Sequence, residues 1–355
     1  MSQSDTPELI EARADERFDE VRLRQYLQRR LAGADGEMSV RQFAGGKANL
    51  TYLLVFGGSA EYVLRRPPLG TYAPSAHDMG RENRVLSVLP AAFPFAPRVY
   101  HYCEDEDVIG APFIIMERCR GVVVRAAMPE QFAMNAAAPA LMSAALVDAL
   151  AAFHAVDYAA LGLSNLGRPE GFVRRQVEGW QRRWQAAKLD DVPYIDLICR
   201  WLEDNLPVSS AYSLVHNDYK LDNTMFDAED PARVVAILDW DMCTLGDPLS
   251  DLGALLTYWT QPGDARAVRA IGSMPVGDFD FYSREQILQR YAERSGRDLA
   301  GIQFYHVLGI FRLLVILQQI YVRYVRGFTQ DERFAELDVL VKALAVWARE
   351  VMAGR

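Results

Sequence analysis

Eight consecutive residues, His216-Asn-Asp-Tyr-Lys-Leu-Asp-Asn223, combine the side chains that metal-assisted phosphoryl transfer needs. Asp218 is a candidate to align an acceptor hydroxyl and take its proton, and Lys220 can reach the transferring phosphate as a point charge. Asn223 can offer an amide oxygen to Mg²⁺ from the same loop. We expect His216 to orient this loop by hydrogen bonding. The stretch therefore predicts a kinase-like phosphotransferase.

A second acidic segment, Ile237-Leu-Asp-Trp-Asp241, follows the first. Between the two lie short apolar runs at Thr224–Phe226 and Val234–Leu238 with a polar turn between them, a pattern typical of a β-hairpin. The hairpin would return Asp239 to the first loop, where its carboxylate would bind the metal that bridges the β- and γ-phosphates. Asp241 either assists this metal or is an ordinary carboxylate at the rim.

The distribution of charge supports a divalent cation at these loops. Residues 216–260 hold nine acidic and two basic residues, and so account for seven of the nine excess negative charges of the chain. Carboxylates crowded together repel each other unless a cation joins them. Asp227, Glu229 and Asp230 are explained by a solvated acidic turn. No basic stripe suggests a nucleic-acid partner.

The composition is that of a globular cytoplasmic protein. The chain has 355 residues, enough for two domains or one large two-lobed domain. Its four cysteines form no CxxC pair, which argues against a disulfide framework or a zinc site and favours a reducing cytosol. The polar N-terminus does not resemble a secretory signal. The most apolar stretch, Tyr305–Val325, carries Arg312 and Arg323, so we expect a buried core helix and no membrane partner.

The first 117 residues are predicted to form a small antiparallel sheet. Apolar runs punctuated by Gly-Gly turns indicate strands, and two polar-rich periodic segments indicate helices. The expected unit is a five-stranded sheet with an N-terminal helix and one packed helix. The predicted strands are Met38–Phe43, Leu50–Phe56, Glu61–Arg65, Arg98–Glu104 and Pro112–Glu117; the predicted helices span residues 8–32 and 77–89.

The chain after Gly121 is predicted to be mainly helical. Asp247 followed by Pro248 is a favourable helix start. A small antiparallel β-sheet N-lobe at 1–117, a hinge at 118–121 and a larger mainly helical C-lobe at 122–355 make an α+β, bilobal, protein-kinase-like fold. The predicted helices are Ala140–Val156, Phe172–Ala187, Tyr194–Asn205, Pro248–Thr260, Ser283–Ser295, Gly301–Arg326 and Arg333–Met352.

Candidate nucleotide-binding residues lie in the predicted N-lobe. Gly45 and Gly46 occupy the position of a kinase glycine loop, where glycine lets backbone amides approach phosphate, although a Gly-Gly hairpin turn is the alternative. Lys47 or Asn49 could add a phosphate contact. The third strand carries Arg65 where kinases usually carry lysine.

Two further groups complete the predicted nucleotide site. Glu82 in the following helix could pair with Arg65 to hold the α- and β-phosphates, and a surface salt bridge is the alternative. At the end of the last strand, the Glu117 carbonyl and the Cys119 amide are candidates for adenine contacts. Met116 would line that pocket, or simply pack in the core.

The series Asp218, Asn223, Asp239 and the motif Gly246-Asp-Pro-Leu-Ser-Asp-Leu-Gly253 resemble the aminoglycoside phosphotransferase and choline kinase superfamily. The similarity is greatest to the kinase domains associated with acyl-CoA dehydrogenases, and it extends from Phe43 to about Gly253. It implies that Asp218 is the catalytic base, that Asn223 and Asp239 bind Mg²⁺, and that ATP is the phosphate donor. It also raises the hypothesis of a functional partnership with a separate acyl-CoA dehydrogenase.

The acceptor is expected to be a small hydroxylated molecule bound by the helical lobe. The segments expected to form its site, residues 119–205 and the helices after Asp251, lack the acidity that a polycationic antibiotic needs, and their arginines, interleaved with aromatic residues, suit an anionic or acyl-type acceptor unless they merely cover amphipathic helices. The resemblance points to a hydroxy fatty acid or hydroxyacyl-CoA. The alternatives are an antibiotic or amino-alcohol kinase, and a nucleotide-binding pseudokinase or scaffold. The residues concerned are Arg174, Arg175, Arg182, Arg183, Arg323 and Arg326, with Trp180, Trp184, Tyr321 and Tyr324.

Overall fold

The computed structural model describes residues 9–44, 49–68, 78–209, 211–272, 274–275 and 277–354. The chain divides into two compact units. The first unit comprises Met1–Gly121 together with Val235–Cys243, and the second comprises Val122–Val234 and Thr244–Arg355. The sequence-based division instead places residues 235–243 with everything after residue 121.

An antiparallel sheet lies in the first unit, and the described residues form six strands in it where the sequence predicts five. Its additional strand, β1, lies at the edge and pairs Leu9 with Phe43 of β2. The order of strands across the sheet is β1-β2-β3-β4-β6-β5. The strands are β1 Leu9–Ile10, β2 Met38–Phe43, β3 Leu50–Phe56, β4 Ala60–Arg66, β5 Val99–Cys103 and β6 Phe113–Glu117.

Two helices of the first unit begin at aspartate caps. The Asp19 carboxylate accepts a hydrogen bond from the Arg22 amide at 2.9 Å at the start of α1, Glu20–Leu27. Asp78 caps α2, Met79–Leu86, in the same way. The helix predicted over 8–32 is wrong in its extent, because its first residues form β1 and a separate short turn precedes the α1 cap.

The second unit is mainly helical, as the sequence predicts. All seven predicted helices form, with ends shifted by a few residues, and the short helix α7 is the one that the sequence pattern did not reveal. The helices are α3 Ala138–His154, α4 Phe172–Ala187, α5 Ile195–Asp204, α6 Leu249–Tyr258, α7 Arg266–Ile271, α8 Arg284–Ser295, α9 Ile302–Val325 and α10 Leu337–Met352.

Helix α9 is the centre of the second unit's core. In the part of the chain that the structure describes, it is the one helix long and apolar enough to cross a membrane, yet 67% of its apolar window is buried inside the protein. The predicted core helix is therefore confirmed. Helix α6 crosses α9 closely, because a Cβ at Gly309 would lie 2.8 Å from the Gly253 carbonyl oxygen.

Short strands hold the loops of the second unit. Strand β11 pairs with β8 antiparallel, Thr244 opposite Val215. Strands β9 and β10 flank the predicted polar turn, which is closed by the Asp227 amide donating to the Arg233 carbonyl at 2.9 Å. These strands are β7 Val122–Val123, β8 Ser213–Val215, β9 Thr224–Phe226 and β11 Thr244–Gly246; β10, Val234–Ile237, begins in the second unit and continues into the first.

Candidate active site

The loop between β8 and β9 is anchored by Asp251, a fully buried residue in the first turn of α6. Its two carboxylate oxygens accept the backbone amides of His216 at 2.6 Å and Asn217 at 2.7 Å. The Nε2 of His154 lies 3.2 Å from the same carboxylate. Burial alone would raise the pKa of Asp251, but the contacts with His154 and His216 outweigh it and hold the pKa below its ordinary value.

Asn217 adopts a left-handed backbone conformation, with a φ of 65°. Asparagine and aspartate are the non-glycine residues that enter this region most readily. The conformation is fixed from both sides, since Asp251 holds the Asn217 amide and the guanidinium of Arg312 donates to its carbonyl at 2.9 Å. Backbone strain of this kind is often retained where it positions a functional side chain, here the neighbouring Asp218.

The carboxylate of Asp218 is held by two side chains of its own loop. The Nζ of Lys220 lies 2.9 Å from both carboxylate oxygens. The Nδ2 of Asn223 donates to the Asp218 carboxylate at 2.7 Å and to the Asp218 carbonyl at 2.8 Å. The three predicted residues of this loop therefore come together, and Asp218 remains about a quarter exposed, with 23% of its side chain accessible.

Lys220 is held as a cation. Burial would lower its pKa, but the carboxylates of Asp218 and Asp222 outweigh burial and raise the pKa above the ordinary value. Its ammonium also lies 5.0 Å from the centre of the Tyr258 ring. In this geometry Lys220 neutralises Asp218 directly.

His216 is fully buried, and its contacts are those of an orienting residue. Its Nδ1 accepts the Asp218 amide at 3.3 Å, and its ring packs edge-on against Tyr219. The hydroxyl of Tyr219 in turn donates to the Leu146 carbonyl of α3 at 2.7 Å. The loop is therefore fixed both to α6 and to α3.

Arg65, Glu82 and Asp239 form a second polar group, in the first unit. The Nε of Arg65 lies 2.9 Å from Glu82, and its Nη2 bonds to Asp239. The side chains of Arg65 and Glu82 are 13% and 2% exposed, which excludes the alternative of a surface salt bridge. Burial would lower the pKa of Arg65, but the two carboxylates raise it, while burial raises the pKa of Glu82 to about 7.

The segment that carries Asp239 is itself strained and anchored. Asp239 has a φ of 71°, the left-handed region again. Its neighbour Trp240 is buried, with Nε1 donating to the Ile237 carbonyl at 2.7 Å. Asp241 accepts a hydrogen bond from the Nδ2 of Asn49 at 2.9 Å, so these two predicted site residues are in contact.

The remaining predicted nucleotide contacts divide into two sets. Gly45, Gly46 and Lys47 lie outside the residues that the structure describes. Met116 and Glu117 end β6, where Met116 is buried and the Glu117 carboxylate accepts the Arg98 amide at 2.9 Å.

The predicted hinge forms ion pairs with strand β4. Both Arg118 and Arg120 form ion pairs with Glu61, at 3.5 Å and 2.5 Å. The Cys119 thiol is partly buried, and burial, with the charge of Glu117, raises its pKa to about 12. A thiol with so high a pKa is not a reactive thiolate, and the backbone contact of Cys119 with adenine stays a prediction.

The candidate metal ligands are all hard oxygen donors. The carboxylates of Asp239 and Asp241 and the amide oxygen of Asn223 are the donor types that Mg²⁺ prefers. Within the described ranges no three or more His, Cys, Asp or Glu residues cluster closely enough to hold a metal ion. Magnesium in nucleotide sites takes one or two carboxylates and completes its shell with phosphates and water, and the carboxylates of Asp239 and Asp241, both in the first unit, suit that mode.

Three residues that position the candidate catalytic loop were not identified from the sequence. His154 and Arg312 lie on α3 and α9, inside segments whose periodicity indicates only helix. Asp251 stands in the quoted Gly246–Gly253 motif, but the sequence suggests only a favourable first-turn charge. The signal that could have found it is an aspartate in an otherwise apolar helix face.

An antiparallel sheet, a helical unit and an Asp-Lys-Asn loop define a phosphotransferase with a protein-kinase-like fold. The model of the Phosphotransferase enzyme family matches residues 39–283, and the chain belongs to that family. The resemblance of the Asp218, Asn223 and Asp239 series to this family is thereby confirmed.

Two relatives at more than 30% identity support the same assignment. Acyl-CoA dehydrogenase family member 11 of Gallus gallus is 35% identical over 354 residues, which cover 96% of this chain and 44% of that protein. The chain therefore spans less than half the length of this curated relative. A Ralstonia eutropha protein assigned as an aminoglycoside phosphotransferase is 31% identical in its crystal structure, with a TM-score of 0.78 and coverage of 94% of this chain and 99% of that one.

A more distant structure shares the fold. An aminoglycoside phosphotransferase solved in a ternary complex with ADP and hygromycin B has a TM-score of 0.56 at 19% identity, and the match covers 90% of this chain and 96% of that chain. At this identity the similarity establishes the fold alone. The α+β, kinase-like fold class predicted from the sequence is confirmed.

Proposed function

We propose that this chain transfers the γ-phosphoryl group of ATP, with Mg²⁺, to a hydroxyl of a small molecule, and that the acceptor is a hydroxy fatty acid or hydroxyacyl-CoA. The observation that carries the proposal is the geometry of Asp218. A partly exposed carboxylate is held by Lys220 and Asn223 on a loop whose backbone is fixed by Asp251. This is the arrangement that a positioned general base requires.

Asp218 acts on the acceptor hydroxyl. Its carboxylate accepts the hydroxyl proton as the acceptor oxygen forms a bond to the γ-phosphorus, and the bond between that phosphorus and the ADP oxygen breaks. Lys220 keeps the Asp218 carboxylate paired and oriented before the acceptor arrives. Asn223 fixes the same carboxylate through Nδ2, which leaves its amide oxygen as the atom suited to a cation.

The nucleotide would be held by residues of the first unit. Arg65, locked by Glu82, presents a guanidinium that suits the α- and β-phosphates. Asp239 would hold Mg²⁺, which neutralises charge on the phosphates when it is bound. The amide oxygen of Asn223, in the second unit, is a separate candidate ligand for Mg²⁺. Asn49 and Asp241 would support this region, and the backbone of Glu117 and Cys119 would contact adenine.

The acyl-type acceptor rests on two observations. The relatives include acyl-CoA dehydrogenase family member 11 proteins, of which this chain matches less than half. The second unit also carries exposed arginines on α4, which suit an anionic group of an acceptor. A separate acyl-CoA dehydrogenase that consumes the phosphorylated product is a corollary of this proposal.

The decisive experiment compares Asp218→Asn with the wild type in an ADP-release assay. The acceptors are 3-, 4- and 5-hydroxy fatty acids, their CoA thioesters, choline and an aminoglycoside. We expect turnover with a hydroxyacyl acceptor, a loss of at least ~100-fold in kcat for Asp218→Asn, and unchanged ATP binding. Glu229→Gln, which removes an exposed carboxylate from the turn after the loop, is the matched control and should behave as the wild type.

Each other outcome has a definite meaning. Turnover of choline or the aminoglycoside without turnover of any hydroxyacyl compound contradicts the proposed acceptor and leaves the kinase chemistry intact. Equal activity of Asp218→Asn and the wild type contradicts the proposed base. ATP binding without turnover of any acceptor favours a nucleotide-binding scaffold.

A further inference from the structure

Two guanidinium groups in the second unit lie against the same tryptophan. Trp180 on α4 is 8% exposed, and the guanidinium carbon of Arg183, one turn further along the helix, lies 4.6 Å from its ring centre. Arg312, from α9, lies 5.4 Å from the same ring. Both distances are within the range of cation–π contact. The two cations are thus gathered around one aromatic side chain, no more than about 10 Å apart.

No carboxylate compensates these two charges in the parts of the chain that the structure describes. Neither Arg183 nor Arg312 has a salt bridge there, whereas the neighbouring Arg182 lies 4.0 Å from Glu178. Burial lowers the pKa of Arg183, and the positive charges of Arg312 and Arg182 lower it further. Like charges held together without a counter-ion repel each other, and an anion bound between them would relieve this repulsion.

The cluster is joined directly to the catalytic loop. The Nη2 of Arg312 donates to the carbonyl of Asn217, the residue immediately before Asp218. A ligand that bound Arg312 would therefore contact a side chain that is hydrogen-bonded to the residue before the candidate base.

We propose that Arg183 and Arg312, held against Trp180, recognise an anionic group of the acceptor, either a carboxylate or a phosphate. This inference rests on the proposed function and sharpens it, because it makes Arg183 a specificity-determining residue for charged acceptors. The planar guanidinium groups suit bidentate hydrogen bonds to either anion. The competing explanation is that the two arginine side chains merely cover the apolar face of Trp180.

The test uses the full chain and three forms of one acceptor. These are a medium-chain 4-hydroxy fatty acid, its CoA thioester and its uncharged methyl ester, assayed by ADP release. Arg183→Gln is compared with Arg200→Gln, which removes the same charge from an exposed position on α5. We expect Arg183→Gln to raise KM for a charged acceptor ~10-fold or more, with kcat within about twofold, as the loss of a charge-assisted hydrogen bond predicts. KM for the ester should not change, and Arg200→Gln should shift KM less than about twofold.

Comparison of the three acceptors identifies the anion that the site binds. A rise in KM confined to the free acid assigns the site to a carboxylate, and a rise confined to the thioester assigns it to the phosphates of CoA. An unchanged KM for both charged acceptors in Arg183→Gln would overturn the inference, as would a wild-type preference for the ester.

Failure of the proposed function gives a different pattern. If the wild type phosphorylates none of the three acceptors, calorimetric titration with the hydroxy acid and with CoA decides the question. Binding by the wild type that is weakened ~10-fold or more in Arg183→Gln supports the anion site without the kinase reaction. Equal binding by both proteins, or binding by neither, overturns it.

Discussion

Asp251 and His154 form a fully buried pair, with the Nε2 of His154 3.2 Å from the Asp251 carboxylate. On its other side His154 contacts the Tyr291 hydroxyl through Nδ1 at 2.7 Å. The aspartate also accepts two backbone amides of the catalytic loop, so α3, α6 and α8 all determine where that loop lies. The carboxylate that positions the loop of the proposed base is itself positioned by residues distant in the chain.

Replacing Asp251 with asparagine should reduce both stability and turnover. The amide can satisfy only one of the two loop amides, at His216 or Asn217, and a buried unsatisfied donor costs ~1–3 kcal/mol. We expect a loss of about 2–3 kcal/mol in the free energy of unfolding by urea denaturation and a fall in kcat of at least ~10-fold. Asp148→Asn is the control, because Asp148 pairs with Arg290 and Arg294 and does not contact the loop. A kcat for Asp251→Asn equal to that of Asp148→Asn would contradict the anchoring role.

Two substitutions of Arg65 should show whether ATP binding needs only the positive charge of this residue or also the two-armed shape of its guanidinium. Arg65→Ala leaves Glu82 buried without its counter-charge, which costs about 3–5 kcal/mol when a buried pair is broken. We expect KM for ATP to rise ~10-fold or more, and more than kcat falls. Arg65→Lys keeps the charge but loses the second arm that reaches Asp239. Its KM for ATP should therefore lie between that of the wild type and that of Arg65→Ala. An unchanged KM for ATP in Arg65→Ala would remove Arg65 from the nucleotide site.

His306 should make the protein less stable in mild acid. It packs edge-on against Trp347, and its buried Nε2 has no hydrogen-bond partner among the residues that the structure describes. Burial together with the nearby cation of Arg284 lowers its pKa to about 3. Below pH ~6.5 the unfolded state is protonated while the folded state is not, so stability falls by ~1.4 kcal/mol per pH unit down to the folded pKa.

The measurement is the free energy of unfolding at pH 7 and pH 5. The contribution of His306 to the difference should be about 2 kcal/mol, and His306→Leu should lose it. Burial also lowers the pKa of His154, so part of the pH dependence should remain in both the wild type and His306→Leu. The same difference in the variant as in the wild type would show that His306 does not titrate in this way.

Gly253→Ala should disrupt the crossing of α6 and α9. A Cβ at Gly253 would overlap the backbone carbonyl of Tyr305, which cannot move without moving α9. Overpacking of this kind costs ~1–3 kcal/mol, and because α6 carries Asp251 we expect kcat to fall as well. Gly301→Ala is the control, since its Cβ would lie an ordinary 3.7 Å from the nearest atom, on the ring of Tyr305. Equal melting temperatures for the two variants would contradict the close crossing.

Local patterns in the sequence were sufficient to predict most elements and the core of the catalytic loop. Asp218, Lys220 and Asn223 interact within five residues, so their spacing alone carries the information. Helix α4 has the bounds that its periodicity predicts, because its apolar face is regular. Strand β1 was missed since a two-residue edge strand has no periodicity, and its pairing with β2 depends on residues more than thirty positions away.

Contacts between residues distant in the chain could not be predicted from local sequence patterns. The Arg65–Glu82 pair spans 17 residues and was suggested by resemblance, but the bond from Arg65 to Asp239 spans 174 residues and has no local signal. The same holds for Arg312 and Asn217, which are 95 residues apart. The left-handed conformations of Asn217 and Asp239 are compatible with their residue types, yet only the tertiary contacts impose them.

The return of Val235–Cys243 to the first unit has a consequence for biosynthesis. When Gly121 leaves the ribosome, the sheet is complete but the first unit lacks the segment that carries Asp239, and it waits for 122 further residues, up to Cys243. At ~5–20 residues per second, this wait lasts about 6–24 seconds. During that time Arg65 can pair with Glu82 but has no Asp239 to bind with its second arm, and the nascent first unit is exposed to chaperones and proteases in an unfinished form.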